Sequence, residues 1–176
     1  MTNQDPQMKK RIIKSYRTII TMHQKLYTSN DNNVGFKFEI SEHFYQTYPE
    51  IAKALEERLN FELDEFKNFI YKKINLLGIS QNELAERSLM PKQTVSNTMQ
   101  MKSPITLNQA LALSFGMELS RKEFQTFLSL LGYRNMFSFN PVVVVVELCI
   151  ERGINDITYV NEILEELELP LLGSKV

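Results

Sequence analysis

The sequence predicts an all-α fold, and three observations carry that prediction. Apolar residues recur at spacings of three and four along most of the chain. Gly and Pro are sparse, six of each in 176 residues, too few for a turn-rich β fold. Helix-start signals repeat: Ser80-Gln-Asn-Glu83 has the form of a capping box, and Asn140-Pro141 that of an N-cap with proline at the first helical position. At roughly 100–200 residues per domain the length allows one compact domain or two very small ones. An apolar fraction of 43%, with 11 Phe, 7 Tyr and 8 Met, is enough for a packed core.

Each element follows from its own signals. Ile12, Tyr16, Ile19, Ile20, His23, Leu26 and Tyr27 predict a helix over 8–28, ended by the polar run 29–33. Residues 34–40 alternate apolar and polar, but one short strand has no partner, so the segment reads as extended or irregular. Pro49 opens a helix with Ile51, Leu55, Leu59 and Phe61 on one face to about Asn60. A second run of Phe66, Phe69, Ile70, Ile74 and Leu77 ends at Gly78. A short helix follows over about 81–88, broken at Met90-Pro91, and another opens at Pro91 or Lys92 and runs to about Met101. Ser103-Pro104 marks a loop. Thr106 and Ser120 cap helices that stop at Gly116 and Gly132. The run Val142–Val146 favours a strand by propensity, yet Asn140-Pro141 before it and Gly153 after it predict a buried helix over 141–152. Asp156 caps the last helix, which Pro170 ends.

Several function classes are excluded. One cysteine, Cys149, allows no intramolecular disulfide and no cysteine-rich zinc module, and it reads as a small buried hydrophobe. His23 and His43 have no second ligand at metal-binding spacing. No apolar run reaches the roughly 18 residues of a membrane span. The first residues lack the apolar core of a secretory signal, so the chain is expected to be soluble and cytoplasmic. There is no Gly-rich phosphate loop and no nucleophile motif, so neither an enzyme nor a cofactor is expected.

A net charge of −1 disfavours nucleic acid when taken over the whole chain, but it averages unlike parts. Residues 1–65 carry net −1, residues 66–134 carry +5 and residues 135–176 carry −5. Lys9, Lys10, Arg11, Lys14 and Arg17 cluster near the start, and Glu162, Glu165, Glu166 and Glu168 form an acidic edge near the end. That edge is either solvated or a docking surface. A basic segment can mark a phosphate-binding surface.

Within the basic middle, residues 81–98 have helix-turn-helix grammar. Two short helices meet across a tight turn, and the contact between them needs a small side chain, here Ala85. Leu84 and Val95 face the core. The second helix then projects Lys92, Gln93, Thr94, Ser96 and Asn97. Lysine can reach a guanine edge or a phosphate, Gln and Asn can pair with adenine, and the Thr94 methyl can touch a thymine methyl.

Residues 66–131, FKNFIYKKINLLGISQNELAERSLMPKQTVSNTMQ followed by TLNQALALSFGMELSRKEFQTFL, resemble the lambda-repressor/Cro-like (XRE) helix-turn-helix domain, a five-helix bundle. The segment GYRNMFSFNPVVVVVELCIERGINDITYVNEILEELELPLLG is similar to the two-helix C-terminal extension of a bacterial subgroup of these regulators. The resemblance covers about 66–173. It implies a DNA-binding domain over 63–132 and a helical C-terminal extension over 133–176; residues 1–62 lie outside it and read as a helical N-terminal extension of unknown role. It also implies that Gln81 meets a phosphate, that Lys92, Gln93 and Asn97 read bases, and that Lys102 and Ser103 contact the DNA backbone. Three departures stand out. Leu89 holds a turn position usually given to Gly, Thr98 holds a usually apolar one, and Met99 and Met101 replace polar or basic residues.

The expected function is a sequence-specific, DNA-binding transcriptional regulator. Its partner is double-stranded DNA, read in the major groove by the helix at about 91–101, and by analogy it acts as a homodimer. Lys72, Lys73, Arg87, Lys92 and Lys102 are the set expected to supply phosphate affinity. The alternative is a protein-binding module on the same scaffold, an antitoxin-like neutraliser or a phage-encoded inhibitor of a host defence protein. It would engage a protein partner through residues 1–65, and the methionines near the end of the recognition helix motivate it.

Overall fold

A computed structural model describes residues 6–23, 46, 49–102, 105–133 and 140–173. The described residues are helical with connecting turns and contain no strand. In chain order the helices are α1 (Pro6–His23), α2 (Pro49–Leu77), α3 (Gln81–Arg87), α4 (Lys92–Met99), α5 (Leu107–Gly116), α6 (Arg121–Leu130), α7 (Pro141–Glu151) and α8 (Ile157–Glu166). The fold is all-α, as the sequence predicts.

Two element readings change. The runs either side of Asn60 are one continuous helix, α2. No Gly or Pro lies between Ile51 and Leu77, so no residue there breaks the backbone ladder, and the expected boundary at 62/63 falls inside this helix. The helix expected to run to about Met101 stops at Met99. The readings for 24–40 and for the loop at Ser103-Pro104 lie outside the described residues.

The valine run is helical despite its propensity. The Asn140 side chain accepts from the N–H groups of Val142 and Val143, and Pro141 sits in the first turn. Val143, Val145 and Val146 are fully buried, so packing outweighs the modest entropic penalty of β-branching in a helix.

Every helix from α2 to α8 ends the same way. The residue after the C-cap takes a left-handed conformation, and the next N–H closes on the carbonyl five residues back. Gly78, Gly132 and Gly153 fill three of these left-handed positions, while Leu89, Met101, Glu118 and Glu168 fill the other four. The residue after each is usually an apolar plug. Ile79, Met90, Leu119, Tyr133 and Ile154 are buried, and Leu169 packs against the core. Lys102, after α4, is the exception: it is charged and exposed.

Helix α5 lies at the centre, buried from Ala110 to Gly116, and touches α3, α6, α7 and α8. Helix α2 packs on α6, where Phe127 stacks against Phe66 and Phe69 with ring centroids 5.6 Å apart in each pair. Helix α1 packs on α7, burying Ile12 and Ile13. The ammonium of Lys9 lies 3.2 Å from Glu166 and 3.8 Å from Glu162 on α8, and Arg152 donates to Ser15. The acidic edge of α8 therefore receives the chain's own N-terminal helix.

Candidate nucleic-acid interface

The α3–α4 pair is built from the cap outward. The Ser80 N–H donates to the Glu83 carboxylate at 2.7 Å, and the Glu83 N–H donates back to Ser80 Oγ at 3.2 Å. Hydrogen bonds to the carboxylate from the Ser80 N–H, and next from the Ser80 hydroxyl, hold the Glu83 carboxyl below its usual pKa. The inner face of α3 buries Leu84 and Ala85. After the turn Ser88-Leu-Met-Pro91, α4 buries Val95, Thr98 and Met99. The small side chain at Ala85, Leu84 and Val95 occupy the positions the sequence assigns them.

The turn has no glycine. Leu89 holds the left-handed conformation itself, with φ of 50°. Its N–H closes on the Glu86 carbonyl and that of Met90 on the Ala85 carbonyl. Ser88 is fully buried, and its hydroxyl finds no partner among the described residues. Gly116 approaches it from α5. A Cβ added there would lie 2.1 Å from Ser88 Oγ and 2.9 Å from Leu84 Cδ1.

The sequence-predicted contact residues divide by exposure. Lys92, Gln93 and Lys102 are exposed; Gln81, Thr94, Ser96 and Asn97 are half-buried; Ser103 lies outside the described residues. Gln93, Ser96, Asn97 and Gln100 share the outer face of α4 through their spacing of three and four. Gln93 Nε2 donates to Asn97 Oδ1 at 2.9 Å, and Gln100 Nε2 donates to Ser96 Oγ at 3.3 Å. These bonds order the amides and leave each with further donors and acceptors, as adenine pairing requires.

Two expectations need correction. Lys73 is not a surface cation: it is 8% exposed and ion-paired with Glu123 at 3.0 Å, because its stem fills the seam between α2 and α6. Arg87 is held by Glu118 at 2.6 Å. Of the expected phosphate-binding set, Lys72, Lys92 and Lys102 are exposed and form no ion pair with a described residue. Met99 also faces the core and Met101 packs against it, so these methionines do not form a surface patch.

Three features were missed in the sequence. Gln100 joins the outer face through Ser96, a link that needs the observed end of α4 at Met99. Helix α4 starts after Pro91 with no side-chain cap, whereas α3, α5, α6, α7 and α8 are capped by Ser80, Thr106, Ser120, Asn140 and Asp156. A proline in a cap position was the available signal. The third is Lys102 in place of an apolar plug, legible only once the shared helix ending is seen. Among the described residues no cluster of three His, Cys, Asp or Glu could hold a metal, and no helix is long and apolar enough to cross a membrane.

The chain matches no protein-family model, no curated protein and no solved structure.

Proposed function

We propose that the protein is a sequence-specific regulator of transcription that binds double-stranded DNA in the cytoplasm. In this reading α4 enters the major groove. Gln93 and Asn97 contact base edges, with Thr94 and Ser96 beside them, while Lys92, Lys102, Lys72 and Gln81 meet phosphates. The observation that carries the reading is the outer face of α4. A linked Gln93–Asn97 amide pair lies between two exposed lysines that form no ion pair with a described residue, on a helix whose inner face is fixed in the core. The uncapped start of α4 adds backbone N–H groups able to meet an anion. The protein would act as a homodimer on two half-sites about 34–36 Å apart.

Fluorescence anisotropy with labelled duplexes across a salt series tests the reading. Binding should weaken steeply with salt. A Lys92/Gln93/Asn97→Ala variant, with unchanged circular dichroism, should lose sequence preference and at least about ten-fold in affinity. A folded wild-type protein that binds no duplex at low salt would refute it.

A further inference from the structure

The chain after α8 folds back across the molecule to the α3–α4 turn. Leu172 is 1% exposed, plugged into the core. Two asparagine side chains fix the backbone around it. Asn161 donates to the Leu172 carbonyl at 3.1 Å and accepts from the Leu172 N–H at 2.8 Å. Asn108, on α5, donates to the Leu171 carbonyl at 2.7 Å and accepts from the Gly173 N–H at 3.0 Å. Four hydrogen bonds on three consecutive residues set the path of this segment closely. They bring Gly173 against the turn. A Cβ there would sit 2.7 Å from the Leu89 carbonyl oxygen, 2.9 Å from Leu89 Cβ and 3.2 Å from the Ser88 carbonyl oxygen. Gly173 also has φ of 84°.

The contact falls on the strained residue. Leu89 is the left-handed, non-glycine residue that links α3 to α4. Such a conformation persists when its surroundings over-determine it. Asn108 of α5 and Asn161 of α8 thus hold the segment close against the Leu89 backbone.

We propose that residues 169–173 form a strap that sets the orientation of α4 relative to α3, with Gly173 as its positioning residue. Its consequence for duplex recognition rests on the DNA-binding reading above; the strap itself does not. The strap lies in the C-terminal extension, so the extension acts on α4 through the turn without touching the duplex.

Hydrogen exchange on the full chain tests it, comparing wild type with Gly173→Ala and Asn161→Ala. The Leu89 and Met90 amides should exchange at least about ten-fold faster in both variants. The Tyr133 and Ile154 amides, which close the equivalent ends of α6 and α7, should keep wild-type rates. Wild-type rates at Leu89 and Met90 would overturn the strap. So would equal acceleration at all four sites, which marks general destabilisation. If the wild type binds DNA, both variants should lose about ten-fold in preference for a selected over a random duplex, with an unchanged salt slope. Unchanged preference in variants with a faster-exchanging turn would overturn the positioning role. If the wild type binds no duplex, the DNA reading fails while the exchange comparison still decides the strap.

Discussion

Leu89, Met101, Glu118 and Glu168 each hold a backbone conformation that costs an L-residue roughly 1–2 kcal/mol relative to the right-handed form. Glu168 is exposed and lies at the negative end of α8, so its side chain offsets little of that cost. Glu168→Gly should therefore stabilise the protein by about 1 kcal/mol, seen as a higher urea midpoint at constant m. Leu89 differs because its side chain packs against the core. The buried Ser88 hydroxyl supplies a second pair of outcomes. Ser88→Ala removes an unsatisfied polar group and should be neutral or stabilising by about 1 kcal/mol. Gly116→Ala drives a methyl into Ser88 and Leu84 and should destabilise by about 1–3 kcal/mol. Thermal melts of the two variants should move apart. Burial pushes the Cys149 thiol up to about 12, so a thiol alkylator near neutral pH should label the protein only after denaturation.

At the scale of elements, caps decide both the boundaries and the acid response. Helices α3 and α6 begin with Ser-to-Glu boxes, and α5 begins with Thr106 and Gln109. Burial acts to raise the Glu123 pKa, but the Ser120 N–H and Lys73 outweigh it, and the carboxyl, like that of Glu83, lies below its usual value. A depressed folded pKa contributes stability that is full above the unfolded value near 4.5 and is lost as pH falls through the folded pKa. Glu83→Gln keeps an acceptor for the Ser80 N–H, as Gln109 does for Thr106 at 3.0 Å, and removes the titration. Urea midpoints measured between pH 6 and pH 3 should fall less steeply in that variant; an unchanged slope would show that Glu83 does not contribute to it. These local signals explain why the elements from Ser80 to Asp156 were legible in the sequence: cap residues and short apolar periods state their own ends. The join at Asn60 was overlooked although the sequence carries it: Leu59 and Phe66 are seven residues apart, two helical turns, and no Gly or Pro lies between them. The end of α4 was misplaced by two residues because Met101 is apolar yet lies in the left-handed closing position.

Across the whole molecule, the charge pattern seen in sequence is only partly available to a ligand. The basic middle uses Lys73 and Arg87 on its own acids, and Arg121 reaches Glu147 at 3.0 Å and Glu151 at 3.3 Å in the acidic C-terminal part. Lys9 ties the first helix to the last. Lys92 and Lys102 remain at the two ends of α4. The outward placement of Lys92 and Gln93 could be read from spacing alone, because Val95 and Ala85 fix which way α4 faces. The ion pairs of Lys73 and Arg87 could not, since their partners lie 50 and 31 residues away. If Lys102 meets a phosphate, Lys102→Ala should weaken binding alike across sequences and reduce the slope of log affinity against log salt by about 1.

The most direct measurement is selection of duplexes from a randomised pool by the wild-type protein, with the Lys92/Gln93/Asn97→Ala variant in parallel. The account predicts that the wild type enriches one recurring short sequence and that the variant, equally folded, does not. A wild-type protein that retains no duplex at low salt, or a variant that enriches the same sequence as strongly, would contradict the assignment of α4 as the DNA-reading element.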